Sequence, residues 1–235
     1  FSEAMSRMEL TSFNTVYADK HDTIFYVSNG LIPVRDPSID FTGTVAGNTK
    51  KALWTSYHDF EDLPQQFNPA SGFLFNTNHS PFKASGLVDN LNPDNYPKSM
   101  DYLLRDNNRS IRFRELMPDT GRISYERFKE IKYDGQLPEK LAFRTNMESL
   151  FGLNPSKYSE IVKQIETINN WDKRSGTESE GAAVFAFVYY YWWDKFAENG
   201  RSWETTLTEE ESVESLKAAK NHFKTHFGKE LVTLG

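Results

Sequence analysis

Asn68-Pro-Ala-Ser-Gly-Phe-Leu-Phe-Asn-Thr-Asn-His-Ser-Pro81 is the stretch on which the reading of this chain turns. Asn68-Pro69 predicts a turn that leads through Ser71-Gly72 into a short strand, Gly72-Phe-Leu-Phe-Asn76. The strand ends on two asparagines one residue apart. Period-two alternation puts Asn76 and Asn78 on the same face of an extended segment. A side-chain amide at a strand end, held by flanking prolines, can donate to the oxyanion that develops in acyl transfer. Two turn asparagines satisfying their own backbone fit the same residues.

Working outward from this stretch, Val16-Tyr17-Ala18 and Ile24-Phe25-Tyr26-Val27 are short β-rich runs around the polar Asp19-Lys-His-Asp22, which predicts a hairpin at the edge of a sheet. Residues 2–15 read as the end of a helix, with Ala4, Met5, Met8, Phe13 and Val16 on one face. Glycines and prolines punctuate residues 29–70 and again 81–97, so long loops are expected there. The second half is helical. A helix is expected within Ser99 to Leu116. Ser124 is an N-cap candidate for a helix carrying Tyr125, Phe128 and Ile131. Pro155-Ser156 opens another, with Tyr158, Ile161, Ile165 and Ile168 facing one way. Glu180 to Phe196 is aromatic on nearly every side and reads as a central buried helix. Thr208 with Glu211 forms a capping box ahead of a stripe of Val213, Leu216, Phe223 and Phe227. The expected fold class is α+β, with a strand and loop-rich part over 1–98 and a mainly helical subdomain over 99–235.

Composition narrows the function. The chain has 235 residues, no cysteine and a net charge of −6 with both signs interspersed. Structural disulfides, thiol catalysis and cysteine-based zinc sites are excluded. A nucleic-acid binder would present a basic face. The longest apolar-rich stretch, Ala182 to Trp193, is too short to span a bilayer. The opening Phe1-Ser-Glu-Ala-Met-Ser-Arg-Met8 lacks the basic start and apolar centre of a signal peptide, and excision from a longer precursor is the expectation.

Asn68-Pro-x-Ser-Gly-Phe73 followed by Asn76-x-Asn-x-Ser-Pro81 resembles the Asn-Pro-x-Ser-Gly-aromatic…Asn-Trp-Asn-Asn-Ser-Pro pattern of the penicillin acylase family. Upstream, Tyr17-Ala-Asp-Lys-His-Asp-Thr-Ile-Phe-Tyr-Val27, Gly30, Pro33 and Arg35 are similar to the family's Tyr-Ala-Asp-x-x-Gly-Asn-Ile-Gly-Tyr…Gly-x-x-Pro-x-Arg block. Trp54 and Leu63-Pro64 stand where the family has Trp-x-Gly…Leu-Pro. Trp171-Asp172 with Ser179-x-Gly181-Ala-Ala183 resembles its Trp-Asp-Gly…Ser-x-x-Ala helix start. The blocks follow the family's order and spacing from near Ala4 to near Gly200. This chain departs from the pattern at Asp22-Thr23 for Gly-Asn, at Thr44-Val-Ala-Gly47 for Pro-Val-Pro-Gly, at Thr77 for Trp and at His79 for Asn.

The resemblance implies an αββα N-terminal nucleophile hydrolase, to which this chain contributes edge strands, site loops and helices of the β subunit. In such enzymes a serine freed at the start of the β subunit attacks an amide, with its own α-amino group as base. The second asparagine of the Asn-x-Asn triplet, here Asn78, belongs to the oxyanion hole. The family arginine that orients it maps to Arg109, by its spacing to Arg122-Ile123. No nucleophile is expected within the chain, so the catalytic residues the resemblance implies here are Asn78 and Arg109. The resemblance further implies partners in an α subunit and other β-subunit segments, a small-molecule amide substrate and a periplasmic or secreted location. No cofactor is expected, though calcium is open for the intact protein, with Asp36, Asp40 and Asp59 as donors. A non-catalytic acylase-like scaffold is the competing reading. His222 and His226 have metal-ligand spacing but read better as a solvated helix face. Tyr189-Tyr-Tyr-Trp-Trp193 reads as core rather than as a ligand platform.

Overall fold

The computed structural model describes residues 1–117, 122–200, 202 and 204–235. The chain divides into two compact units, Phe1–Ile123 and Ser124–Gly235. The segment after residue 98 belongs to the first unit, to whose loops it is tied by bonds such as Ser80 N–H to the Arg105 carbonyl at 3.2 Å. The architecture is α+β.

The first unit opens on α1 (Ser2–Ser6), followed by β1 (Phe13–Ala18), β2 (Ile24–Asn29) and β3 (Gln65–Phe67). The three strands form one antiparallel sheet in the order β1-β2-β3. The expected hairpin is present. Asp19 closes its turn, with Oδ1 accepting from the N–H groups of His21 and Thr23 at 2.8 and 3.1 Å. Two expectations are corrected. The first helix stops at Ser6, because Phe13 and Val16 belong to β1 and not to a helical face. Gly72–Asn76 is not a strand. The third strand is Gln65–Phe67, whose Asn68 end is fastened to β2 by two bonds, Asn68 N–H to the Ile24 carbonyl at 3.0 Å and Ile24 N–H to Asn68 Oδ1 at 2.8 Å.

Side-chain hydrogen bonds order the loops that follow. Asp89 accepts from the N–H groups of Ala70 and Ser71 at 3.2 and 2.7 Å, and Ser71 Oγ accepts from Gly86 N–H at 3.1 Å. A Cβ at Gly86 would lie 2.5 Å from Ser71 Cβ, so the close approach admits only glycine. Arg35 donates to the Ser99 carbonyl at 2.6 Å, with the rings of Phe41 and Trp54 at 5.8 and 5.7 Å from its guanidinium carbon. These contacts give physical content to the Asn-Pro-x-Ser-Gly block, to Arg35 and to Trp54. The apolar core beneath them is small, with Phe25, Val27, Phe60 and Leu63 buried together. The unit's helix α2 (Asn108–Leu116) begins later than Ser99, since residues 101–107 carry no regular structure.

The second unit contains α3 (Tyr125–Lys132), α4 (Val162–Asn169), α5 (Glu180–Asn199) and α6 (Glu209–Phe227). Ser124 caps α3 through a bond from Arg127 N–H, as expected, but Tyr125 and Phe128 are exposed and only Ile131 of the three expected apolar residues is buried. Pro155–Lys157 is a single 3-10 turn, and α4 itself starts at Val162. Helix α5 packs against both α4 and α6. One contiguous core joins Leu150, Ile161, Ile165, Ile168, Val184, Val188, Trp192, Leu216 and Phe223. Thr208 and Glu211 form the expected capping box. Of the aromatic run, Trp192 is core, whereas Tyr190 and Trp193 are exposed. A Cβ on Gly181 would meet the Trp171 side chain at 2.5 Å, which explains why the first turn of α5 needs glycine beneath that indole.

Candidate functional site

The site is built from two segments of the first unit, the loop Phe75–Lys83 and the N-terminal turn of α2. The loop begins with the rings of Phe75 and Phe113, stacked at 4.3 Å between centroids, and His79 stacks on Phe75 at 4.6 Å. Phe75 N–H donates to the Ala84 carbonyl at 2.9 Å. Between Phe75 and His79 the chain turns sharply. Asn78 N–H donates to Asn76 Oδ1 at 3.0 Å, and Asn78 itself has φ +57°. Asparagine tolerates this left-handed conformation far better than other non-glycine residues. Asn76 and Asn78 therefore do not share the face of an extended segment. Asn76 is the turn asparagine and satisfies its own backbone, while Asn78 projects into solvent. The same Asn76 oxygen accepts from Asn14 Nδ2 at 3.3 Å, which ties the turn to β1.

Helix α2 clamps the turn from the other side. Its N-cap, Asn107, exchanges reciprocal bonds with Ser110, each 3.0 Å long. The Asn107 amide nitrogen uses both hydrogens on the site loop, donating to the carbonyls of Thr77 at 2.9 Å and Asn78 at 3.1 Å. One residue into the helix, Arg109 Nη2 donates to Asn78 Oδ1 at 3.1 Å. A guanidinium can only donate, so this contact fixes the amide orientation: oxygen toward Arg109 and nitrogen away. Among the described residues nothing accepts from Asn78 Nδ2. The two residues singled out from the sequence thus meet in space, one as acceptor and one as donor.

Beneath them lies a charged knot. Asp106 pairs with Lys83 at 2.9 Å and Arg114 at 2.6 Å, and accepts from Ser110 Oγ at 2.9 Å. Burial alone would raise the Asp106 carboxyl, but the bonds from Arg114, Lys83 and Ser110 outweigh it and hold the group down at about 2. The sequence reading missed Asp106 and Asn107. Asn107-x-x-Ser110 is itself a capping-box spacing, and reading it as such would have started α2 correctly.

Other candidates look different in space. Asp36 and Asp40 each accept from the backbone N–H and hydroxyl of the residue two further on, Ser38 and Thr42. Asp59 opens a 3-10 turn whose Asp62 accepts back from its N–H at 3.3 Å. Among the described residues no group of three or more His, Asp or Glu side chains is arranged to hold a metal ion. His222 and His226 lie against each other at 4.4 Å between rings, with His222 on Phe187 at 5.0 Å. A groove of about 500 Å³ in the second unit, lined in part by Trp171, Asp172 and Glu180, holds neither Asn78 nor Arg109. No described helix is long and apolar enough to cross a membrane.

Comparison with known proteins identifies the family. The chain is 36% identical to penicillin G acylase of Escherichia coli over 83 residues, which is 35% of this chain and 10% of that protein. Its fold superposes on a thermostable penicillin G acylase from Alcaligenes faecalis with a TM-score of 0.61 at 15% identity, covering 99% of this chain and 51% of the other. The chain thus spans about half the length of that structural neighbour. The family model for penicillin amidase matches residues 1–230, and the chain belongs to that family.

Proposed function

We propose that the protein containing this chain is an amidohydrolase that cleaves the amide of an N-acylated small molecule, of the β-lactam, acyl-homoserine lactone or lipopeptide type. Asn78 Nδ2 donates to the tetrahedral oxyanion and Arg109 holds the amide so that its nitrogen faces the reaction. The observation that carries this reading is the single bond from Arg109 to Asn78 Oδ1. It orients the carboxamide and leaves its nitrogen without an acceptor among the described residues, which is the state an oxyanion donor needs before substrate arrives.

On this reading the nucleophile is an N-terminal serine outside these residues. Its hydroxyl oxygen attacks the amide carbon while the α-amino group takes the proton. The oxyanion collapses as that proton passes to the departing amine, and water then releases the acyl group by the same route in reverse. The intact fold is an αββα sandwich completed by an α subunit and further β-subunit segments, and the enzyme works in the periplasm or outside the cell. On this reading the 235 residues alone hydrolyse no amide.

The test is hydrolysis of a panel of chromogenic acyl-anilides by protein expressed with its upstream coding region, as wild type and as Asn78→Gly. Hydrolysis that collapses in the variant supports the role of Asn78. Wild-type hydrolysis that the variant retains removes Asn78 from the mechanism. Correct chain cleavage with no hydrolysis of any acyl chain points instead to a scaffold.

A further inference from the structure

We propose that His79 is a positioning residue that holds the Asn76–Asn78 turn only while its imidazole is neutral, so that protonation of His79 releases Asn78 from its working geometry. The inference rests on the reading of Asn78 as oxyanion donor, but its structural half can be tested without it.

The tautomer follows from the partners. His79 Nε2 lies 2.8 Å from the Lys83 carbonyl oxygen, which can only accept, so Nε2 carries the hydrogen. Nδ1 is then a lone-pair acceptor. It lies 3.3 Å from Thr77 N–H and 3.1 Å from Thr77 Oγ1. The ring is 3% exposed and stacked on Phe75, so both nitrogens are committed to these partners. A second proton would sit on Nδ1. The Thr77 hydroxyl can rotate to accept from it, but the Thr77 N–H cannot, and donor then faces donor in a buried site. That N–H belongs to the peptide joining Asn76 to Thr77. Turning this peptide moves Asn76 Oδ1 away from Asn78 N–H and loosens the left-handed turn that aims the Asn78 side chain.

The charges around the ring come from three places. Lys83 lies on its own loop, Asp106 on the segment before α2, and Arg114 on α2 itself. Burial acts first and disfavours the imidazolium. The bond to the Lys83 carbonyl and the Asp106 carboxylate favour it, and Arg114 and Lys83 oppose it, leaving the group below its ordinary value of 6.5. The neutral form therefore prevails at neutral pH, and the switch lies on the acid side. In stability terms, this contribution is complete above pH 6.5 and is lost as pH falls through the lower folded value.

Two measurements test the proposal. The first is an NMR titration of the 235-residue chain, following the His79 ring nitrogens, the Thr77 backbone amide and the Asn78 side-chain NH₂. The expected result is an Nε2–H tautomer and one shared midpoint, below that of an ordinary histidine, for all three. Thr77 and Asn78 signals that stay still through the His79 transition would overturn the proposal, whatever the protein hydrolyses. The second uses the protein with its upstream region. His79→Asn keeps an amide near the Nδ1 position without a titrating group, and should retain kcat within about threefold at mildly alkaline pH while losing the acid limb of the kcat profile that this histidine imposes. His79→Leu removes the acceptor and should lower kcat by about 10–100-fold with KM less affected, as displaced catalytic groups do. A His79→Asn enzyme with an unchanged acid limb overturns the switch. A wild type that hydrolyses nothing fails the amidase reading alone, and the NMR result still decides the coupling.

Discussion

The two units of this chain are ordered by different forces. In the second, α4, α5 and α6 share one continuous apolar core in which Leu150, Ile165, Ile168, Val184, Val188 and Leu216 are fully buried. In the first, four buried apolar residues form the cluster under the sheet. There the loops are held by single side chains that reach backbone groups: Asn107 bonds three, Asp89 two, and Ser71 and Asn76 one each. A packed core tolerates little change in volume but does not care which polar atoms lie outside it. A side-chain scaffold of this kind can place one amide against one guanidinium, and it fails when a single donor is removed. The candidate chemistry lies in the unit whose order is polar.

Four measurements would break or sharpen this contrast. The largest effect is expected for Leu216→Ala in α6, which should cost about 2–5 kcal/mol in urea unfolding, as cavities in tight cores do. A loss below about 1 kcal/mol would show that this core is looser than its burial implies. In the first unit, Arg109→Ala should leave stability within about 0.5 kcal/mol, because both partners are exposed. It should nevertheless lower amide hydrolysis by the intact protein about tenfold or more, as the Asn78 amide becomes free to rotate. Equal activity would make Arg109 a surface charge. Next, Asn107→Ala removes the α2 cap and both donors to the loop, whereas Asn107→Asp keeps a capping oxygen and loses only the donors. The alanine variant should cost about 1–2 kcal/mol. The aspartate variant should cost less while still raising hydrogen exchange at Thr77 and Asn78, and identical behaviour of the two would assign the whole effect to the cap. The smallest effect concerns acid. Asp106 is held at about 2 against 3.8 when free, so its contribution is complete above pH 3.8 and fades as pH falls toward 2. Asp106→Asn should flatten that part of the pH–stability curve, and an unchanged curve would show that its two ion pairs contribute nothing net.

The sequence was legible where structure depends on near neighbours. The Thr208–Glu211 box, the Ser124 cap, the hairpin around Asp19 and the buried face of Ile161, Ile165 and Ile168 all follow from residues within a few positions of one another. It was illegible where order depends on distant partners. Gly72–Asn76 has the look of a strand, yet among the described residues no strand pairs with it. Gln65–Phe67 has little β character, yet it pairs with β2. Phe13 and Val16 fit a helical period until β2 claims them. At the site, Asn78 and Arg109 came from the family pattern, and their meeting in space was not a matter of periodicity. The local capping box of Asn107 and Ser110 was readable, but the bonds that tie Asn107 and Asp106 to the site loop, at Thr77 and Lys83, lie across a long loop.

The left-handed backbone at Asn78 has a consequence for how the protein can change. The position must accept φ +57° and also present an amide whose oxygen Arg109 can hold. Glycine meets the first demand alone, and glutamine the second alone. Aspartate keeps the backbone and the oxygen but has no hydrogen to give. Of the genetically encoded residues, asparagine alone satisfies both. On the proposed role of Asn78 as oxyanion donor, mutational drift and laboratory evolution should therefore find position 78 closed to every other residue.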